Sequence, residues 1–156
     1  MERVSIAVLA SLDSKHAAVR FICDVLTAAG AAPWLVDLSL RPHALDFADV
    51  SGETVAKSAG LAWAELGRLT RAEAAKAMIL GGTEIVREKF ARREIGGVIG
   101  VGGANGSTIA CAIMRALPLS FPKVMVTPVA ATAAVQWYVA ESDIAMYPTI
   151  GDISLN

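Results

Sequence analysis

Apolar and polar positions along this chain follow two alternating rhythms. Short apolar runs closed by turn residues give way to stretches in which apolar residues return every three or four positions, the pattern of repeated β–α units around a mostly parallel sheet. The first run, residues 3–10, precedes a helix over about 15–29 that carries Val19, Ile22, Cys23 and Leu26 on one face and stops at Gly30. Residues 33–38 read as a second strand. From 39 to about 69 the pattern loosens, and Pro42 with two short helical pieces, near 53–59 and 62–66, predicts an excursion across one end of the sheet.

Thr70 and Glu73 have the spacing of a capping box and open a long helix that runs to about residue 92. Gly81 and Gly82 in its middle cost roughly 1 kcal/mol each relative to alanine, so close packing against a neighbouring backbone is expected there. Residues 97–101 form a third strand, about 107–116 a further helix, and 123–127 and about 144–147 two last strands, with no internal repeat. The whole predicts one Rossmann-like domain over 1–156, an α/β three-layer sandwich with a mostly parallel sheet of about five strands.

Composition narrows the function classes. A chain that is 54% hydrophobic and 19% charged folds around a large core. Fourteen basic residues against fifteen acidic ones lack the basic excess that marks a nucleic-acid partner. The opening apolar run is too short for a signal peptide, and no run of about 18 apolar residues suggests a membrane span, so a cytoplasmic protein is expected. Cys23 and Cys111 lie far apart in predicted helices, without a CxxC motif, and read as reduced core thiols. High apolar content also leads us to expect a homo-oligomer.

Parallel sheets with right-handed crossovers bring every strand's carboxyl end to one edge, where open α/β sheets bind ligands. Onto that rim the pattern places Asp13, Ser14 and Lys15 after the first strand, Asp37 after the second, and Thr127 after the fourth. After the third strand comes GVIGVGGANGSTIA, residues 97–110. There Gly102, Gly103 and Gly106 leave amides uncovered, Asn105 stands among them, and Ser107 and Thr108 open a helix whose dipole favours an anion. The spacing is neither GxGxxG nor a P-loop. A sharp turn that needs small residues for packing is the competing explanation. Asp37 has the place of a ribose-binding acid or of a loop cap, Asp13 that of a magnesium or ribose ligand or of a helix cap, and Asp143 that of a cap on the turn into the last strand. No GxSxG or HExxH motif specifies a reaction.

Several stretches, in order, resemble a two-domain family whose plant member is the tomato mosaic virus resistance protein. SLDSKH at 11–16 is similar to the family's TLDTKG, LVD at 35–37 to VVD, and DVSGETVA at 49–56 to DISREEVA. GVGGANGS at 100–107 resembles GLGGSGGT, and SDIAMYPTIGDISLN from 142 resembles SDITMMYSVVDVAGLN. The chain departs from the pattern at His16, Ala104, Asn105 and over 127–133, where TPVAATA replaces STMASGD. The resemblance implies the N-terminal half of a longer architecture, a nucleotide-binding domain working with a C-terminal domain. ATP is the implied ligand, with Asp13, Ser14, Lys15, Gly102, Gly103, Gly106 and Ser107 at motif positions; Mg2+ is the cofactor expected from the reading of Asp13 above. The alternative expectation is half of an enzyme site for a phosphorylated or carboxylated small molecule, completed by the second domain.

Overall fold

A computed structural model of the chain describes residues 3–149. Five strands, β1 (Ser5–Ala10), β2 (Ala32–Asp37), β3 (Gly97–Val101), β4 (Lys123–Val126) and β5 (Ala145–Tyr147), form one sheet in the order β2-β1-β3-β4-β5. Every pairing is parallel. The Rossmann-like α/β sandwich expected from the sequence is therefore present, with the strand order of the flavodoxin-like doubly wound sheets.

Among the described residues six α-helices join the strands: α1 (Leu12–Ala28), α2 (Gly52–Ser58), α3 (Trp63–Leu66), α4 (Arg71–Ala91), α5 (Ala104–Arg115) and α6 (Val135–Val139). A single 3-10 turn at Pro128–Ala131 follows β4. Side chains alternate across the sheet and divide the core in two. Val8, Ala10, Leu35 and Val101 face α1, whereas Ala7, Leu9, Val36, Val98 and Met125 face α2, α4 and α5.

The long helix begins at its capping box, with Thr70 Oγ1 accepting from the Glu73 amide at 3.3 Å and the Glu73 carboxylate from the Thr70 amide at 2.9 Å. Its two glycines have separate contacts. A Cβ on Gly81 would collide with the Val55 carbonyl of α2, and one on Gly82 would lie 2.6 Å from the Ile113 side chain of α5. The first is the close backbone approach that the sequence suggested; the second is a contact with a side chain.

Two helices start three residues earlier than the sequence pattern indicated. For α1 the reason is a pair of caps from distant residues: Asp37 Oδ1 accepts from the Leu12 amide at 3.2 Å, and Ser39 Oγ from the Asp13 amide at 3.1 Å. For α5 the glycine-rich segment is itself the first helical turn, because Gly106 Cα packs where a Gly102 side chain would stand. The excursion between β2 and α4 contains α2 and α3 close to their expected places, and residues around Asp49 and Val50 run along the outer edge of β2.

Candidate functional site

The chain moves from β1 outward to β2 in one direction and from β3 to β4 and β5 in the other. This reversal makes the carboxyl ends of β1 and β3 the topological switch point, and the crevice at such a point is where open α/β sheets bind ligands. Two strand-to-helix turns border it: residues 11–15, which include the first turn of α1, and residues 102–105, which include the start of α5. Asp13 and Ser14 are exposed on the first turn and Lys15 is half-buried.

On the second turn Gly103 is the N-cap of α5, and among the described residues no side chain caps this helix end. A Cβ built on Gly103 would have no heavy atom within 4 Å, so open space lies directly above it. Ala104 and Asn105 are exposed beside it. The first amides of a helix carry partial positive charge and need acceptors, so this end of α5 suits an anion. Its neighbour is different: a Cβ on Gly102 would lie 2.9 Å from Gly106 Cα, so Gly102 and Gly106 serve helix-to-strand packing.

Two of the hydroxyls that the sequence placed on this rim are turned inward. Ser107 and Thr127 are completely buried with their Oγ atoms 2.7 Å apart. Ser107 also donates to the Gly103 carbonyl at 2.8 Å, and Thr127 Oγ1 accepts from the Val129 amide at 3.2 Å. Together they fix the Gly103 peptide against the end of β4. Thr108 points elsewhere: it donates to the Ala104 carbonyl at 3.0 Å and lines a hollow with Arg115 and Trp137 between α5 and α6.

Asp37 ends β2, beside the crevice rather than in it. Its side chain is buried, and both oxygens are engaged. Oδ1 accepts from the amides of Leu12 and Ser39 and from Ser39 Oγ, and Oδ2 accepts from His43 Nε2 at 2.8 Å. Because His43 Nδ1 accepts from the Leu45 amide at 3.1 Å, the ring proton sits on Nε2, where it donates to Asp37. Asp37 thus has the geometry of a loop cap. Pattern reasoning gave His43 no part, since nothing local announces a contact made by folding a loop back on a strand end.

The family description "Uncharacterised protein family (UPF0261) N-terminal domain" matches residues 4–156. The chain belongs to this family. It is 39% identical over 150 residues to UPF0261 protein RA0729 of Rhizobium meliloti (strain 1021), covering 96% of this chain and 36% of that protein. With the UPF0261 protein of Clostridium tetani it shares 32% identity over 150 residues, 96% of this chain and 37% of the relative. The ToMV resistance protein Tm-1(GCR237) of Solanum lycopersicum is 34% identical over 61 residues, 39% of this chain and 8% of that protein. The chain spans little more than a third of the length of the bacterial UPF0261 proteins it matches.

Of the stretches that resemble the UPF0261 pattern, 11–16 and 100–107 are the two that meet at the crevice. The 142 stretch has a supporting part. Asp143 accepts from the Ser120 amide at 2.6 Å and from Lys123 Nζ at 2.7 Å; the lysine ammonium and then that amide hold its carboxyl below the usual carboxylate range. Lys123 is a buried anchor, its other two protons going to the carbonyls of Pro118 and Phe121. Residues from 150 onward, including the end of that motif, lie outside the described residues. Burial pushes the Cys111 thiol up to about 11 and raises that of Cys23 as well, so neither is a ready nucleophile. Among the described residues no group of three metal-ligating side chains is assembled, and no helix is long and apolar enough to cross a membrane.

Proposed function

We propose that this UPF0261 domain binds the phosphates of a nucleotide, ATP being the first candidate, at the crevice between β1 and β3. The observation that carries the reading is the open space above Gly103 at an uncapped helix N-terminus, at the point where the sheet reverses direction. An anionic group seated there accepts from the first amides of α5, which lack acceptors among the protein's own described side chains. Ser14 and Lys15 border the same crevice from the β1 side and supply a hydroxyl and a cation. Asp13, exposed beside them, is the carboxylate available to a Mg2+ ion arriving with the phosphates. Ser107, Thr127 and Asp37 act by holding the two turns in place.

Thermal unfolding tests this directly. A nucleotide at a hundred times its Kd stabilises the native state by about 2.7 kcal/mol, which raises Tm by about 5–10 °C for a domain of this size. Gly103→Val fills the open space without disturbing a contact and removes most of that rise; Lys15→Ala reduces it. The absence of any rise at millimolar ATP or ADP would overturn the reading.

A further inference from the structure

The sheet is parallel throughout, yet among the described residues only one of its faces is fully covered. All-parallel sheets occur almost only with helices on both sides, because their strands carry apolar residues in both directions. Here α2, α4 and α5 cover one face, whereas among the described residues the other has α1, lying over β2, β1 and the near side of β3, with Phe47 and Ala48 of the excursion beside it. Register identifies what is left bare. Val8 and Ala10 face α1, and the rows they begin continue through Ile99 to Val124 and Ala145, and through Val101 to Val126 and Tyr147. Along these rows burial fades towards β5: Val124 and Val126 are half-buried, Ala145 is exposed, and Tyr147 is 59% exposed.

Helix α1, packed on the same face, adds exposed apolar side chains of its own. Arg20, Cys23 and Asp24 turn to the β2 side, where they line a hollow with Phe47 and Asp49. At about 100° per residue, Val25 turns away from Asp24 and Phe21 lies on the outer face, about 160° from the buried Val19; they are 50% and 69% exposed. Ile99, Val124, Val126 and Tyr147 on the sheet, and Phe21 and Val25 on the helix packed against the same face, are apolar side chains left partly or largely exposed.

We infer that this face is the docking seat for the polypeptide that follows this domain in UPF0261 proteins. The matched segment is the N-terminal domain of the family, and it accounts for only 36% of the Rhizobium meliloti relative, so most of such a protein follows it. The chain leaves the sheet along β5, the strand at the bare edge. Simple extension of the sheet does not cover this face: a sixth strand added beyond β5 by a right-handed crossover would place its helix on the face already occupied by α5. Cover therefore comes from polypeptide after β5 that packs across the α1 face, not from a further strand. Because the crevice at β1 and β3 has no part in this argument, the docking seat stands or falls apart from nucleotide binding.

Hydroxyl-radical footprinting checks it. Labelling is compared between the 156-residue chain and the same chain continued at its carboxyl end by the remaining polypeptide of the Rhizobium meliloti relative. Labelling of Phe21 and Tyr147 is expected to fall at least five-fold in the longer protein, while Trp137 and Leu80, exposed on the covered face, keep theirs. The paired substitution Phe21→Glu with Tyr147→Lys, at exposed positions, leaves the Tm of the short chain unchanged within about 1 °C and lowers that of the long one by several degrees. Equal labelling of Phe21 and Tyr147 in both forms overturns the inference. So does a short chain that sediments as a dimer with these residues already protected, since a second copy would then be the occupant.

Discussion

The two helix N-termini that border the crevice have opposite fates. At α1 the leading amides are taken by Asp37 and Ser39, reaching across from the end of β2. At α5 the N-cap is a glycine with nothing above it. Both turns follow a strand of the same sheet, and both begin a helix of at least twelve residues. The difference teaches that a helix dipole points to a ligand only where the protein has not already supplied an acceptor. It also assigns unequal roles to the acidic and glycine positions of the rim: Asp37 belongs to the closed end, Gly103 to the open one.

The largest effect expected from this contrast is at the closed end. Asp37→Ala strands buried donors from Leu12, Ser39 and His43, and a loss of about 3 kcal/mol in urea unfolding is predicted. A loss below about 1 kcal/mol would mean that α1 does not depend on its cap. Next come the paired glycines of the open end. Gly102→Ala forces a Cβ against Gly106 and costs about 2 kcal/mol, whereas Gly103→Ala, at φ −75° and in open space, stays within about 0.5 kcal/mol of the parent. Equal costs at the two positions would break the division between packing and seat.

The smallest effect sharpens the comparison with a second capping acid. Asp143 is exposed, and its carboxyl is held low by Lys123 and the Ser120 amide. A depressed folded value means that its contribution is present above the ordinary carboxylate value, about 4, and is lost as pH falls through the folded value. Urea midpoints of the parent should therefore drop more steeply than those of Asp143→Asn in that acid window and converge with them below it. Parallel curves would remove Asp143 from the account.

How far the sequence carries depends on whether a feature is local. β3 was legible to the residue, and the Thr70–Glu73 capping box marked the start of α4, since hydrophobic runs and caps are written in neighbouring positions. Gly81 could be read as a close approach, although its partner, Val55, could not. The starts of α1 and α5 were missed for a physical reason: one is set by Asp37 and Ser39, more than twenty residues away, and the other by glycines that ordinarily discourage helix. The rim residues were found from topology, but burial sorted them. Ser107 and Thr127 carry the residue types of a phosphate site and face each other inside the protein. His43 and Lys123 left no signal, because each acts through contacts that exist only after folding.

The central claim is that the open amides at the start of α5 receive the ligand. An amide-resolved NMR titration of the 15N-labelled chain with ATP reads it most directly. The Ala104, Asn105 and Gly106 signals should shift together along one saturating curve, with those of Leu12 and Asp13, already capped, moving far less. Saturable ATP binding that leaves the three α5 amides unmoved, or no shift anywhere at millimolar ATP, would contradict the account.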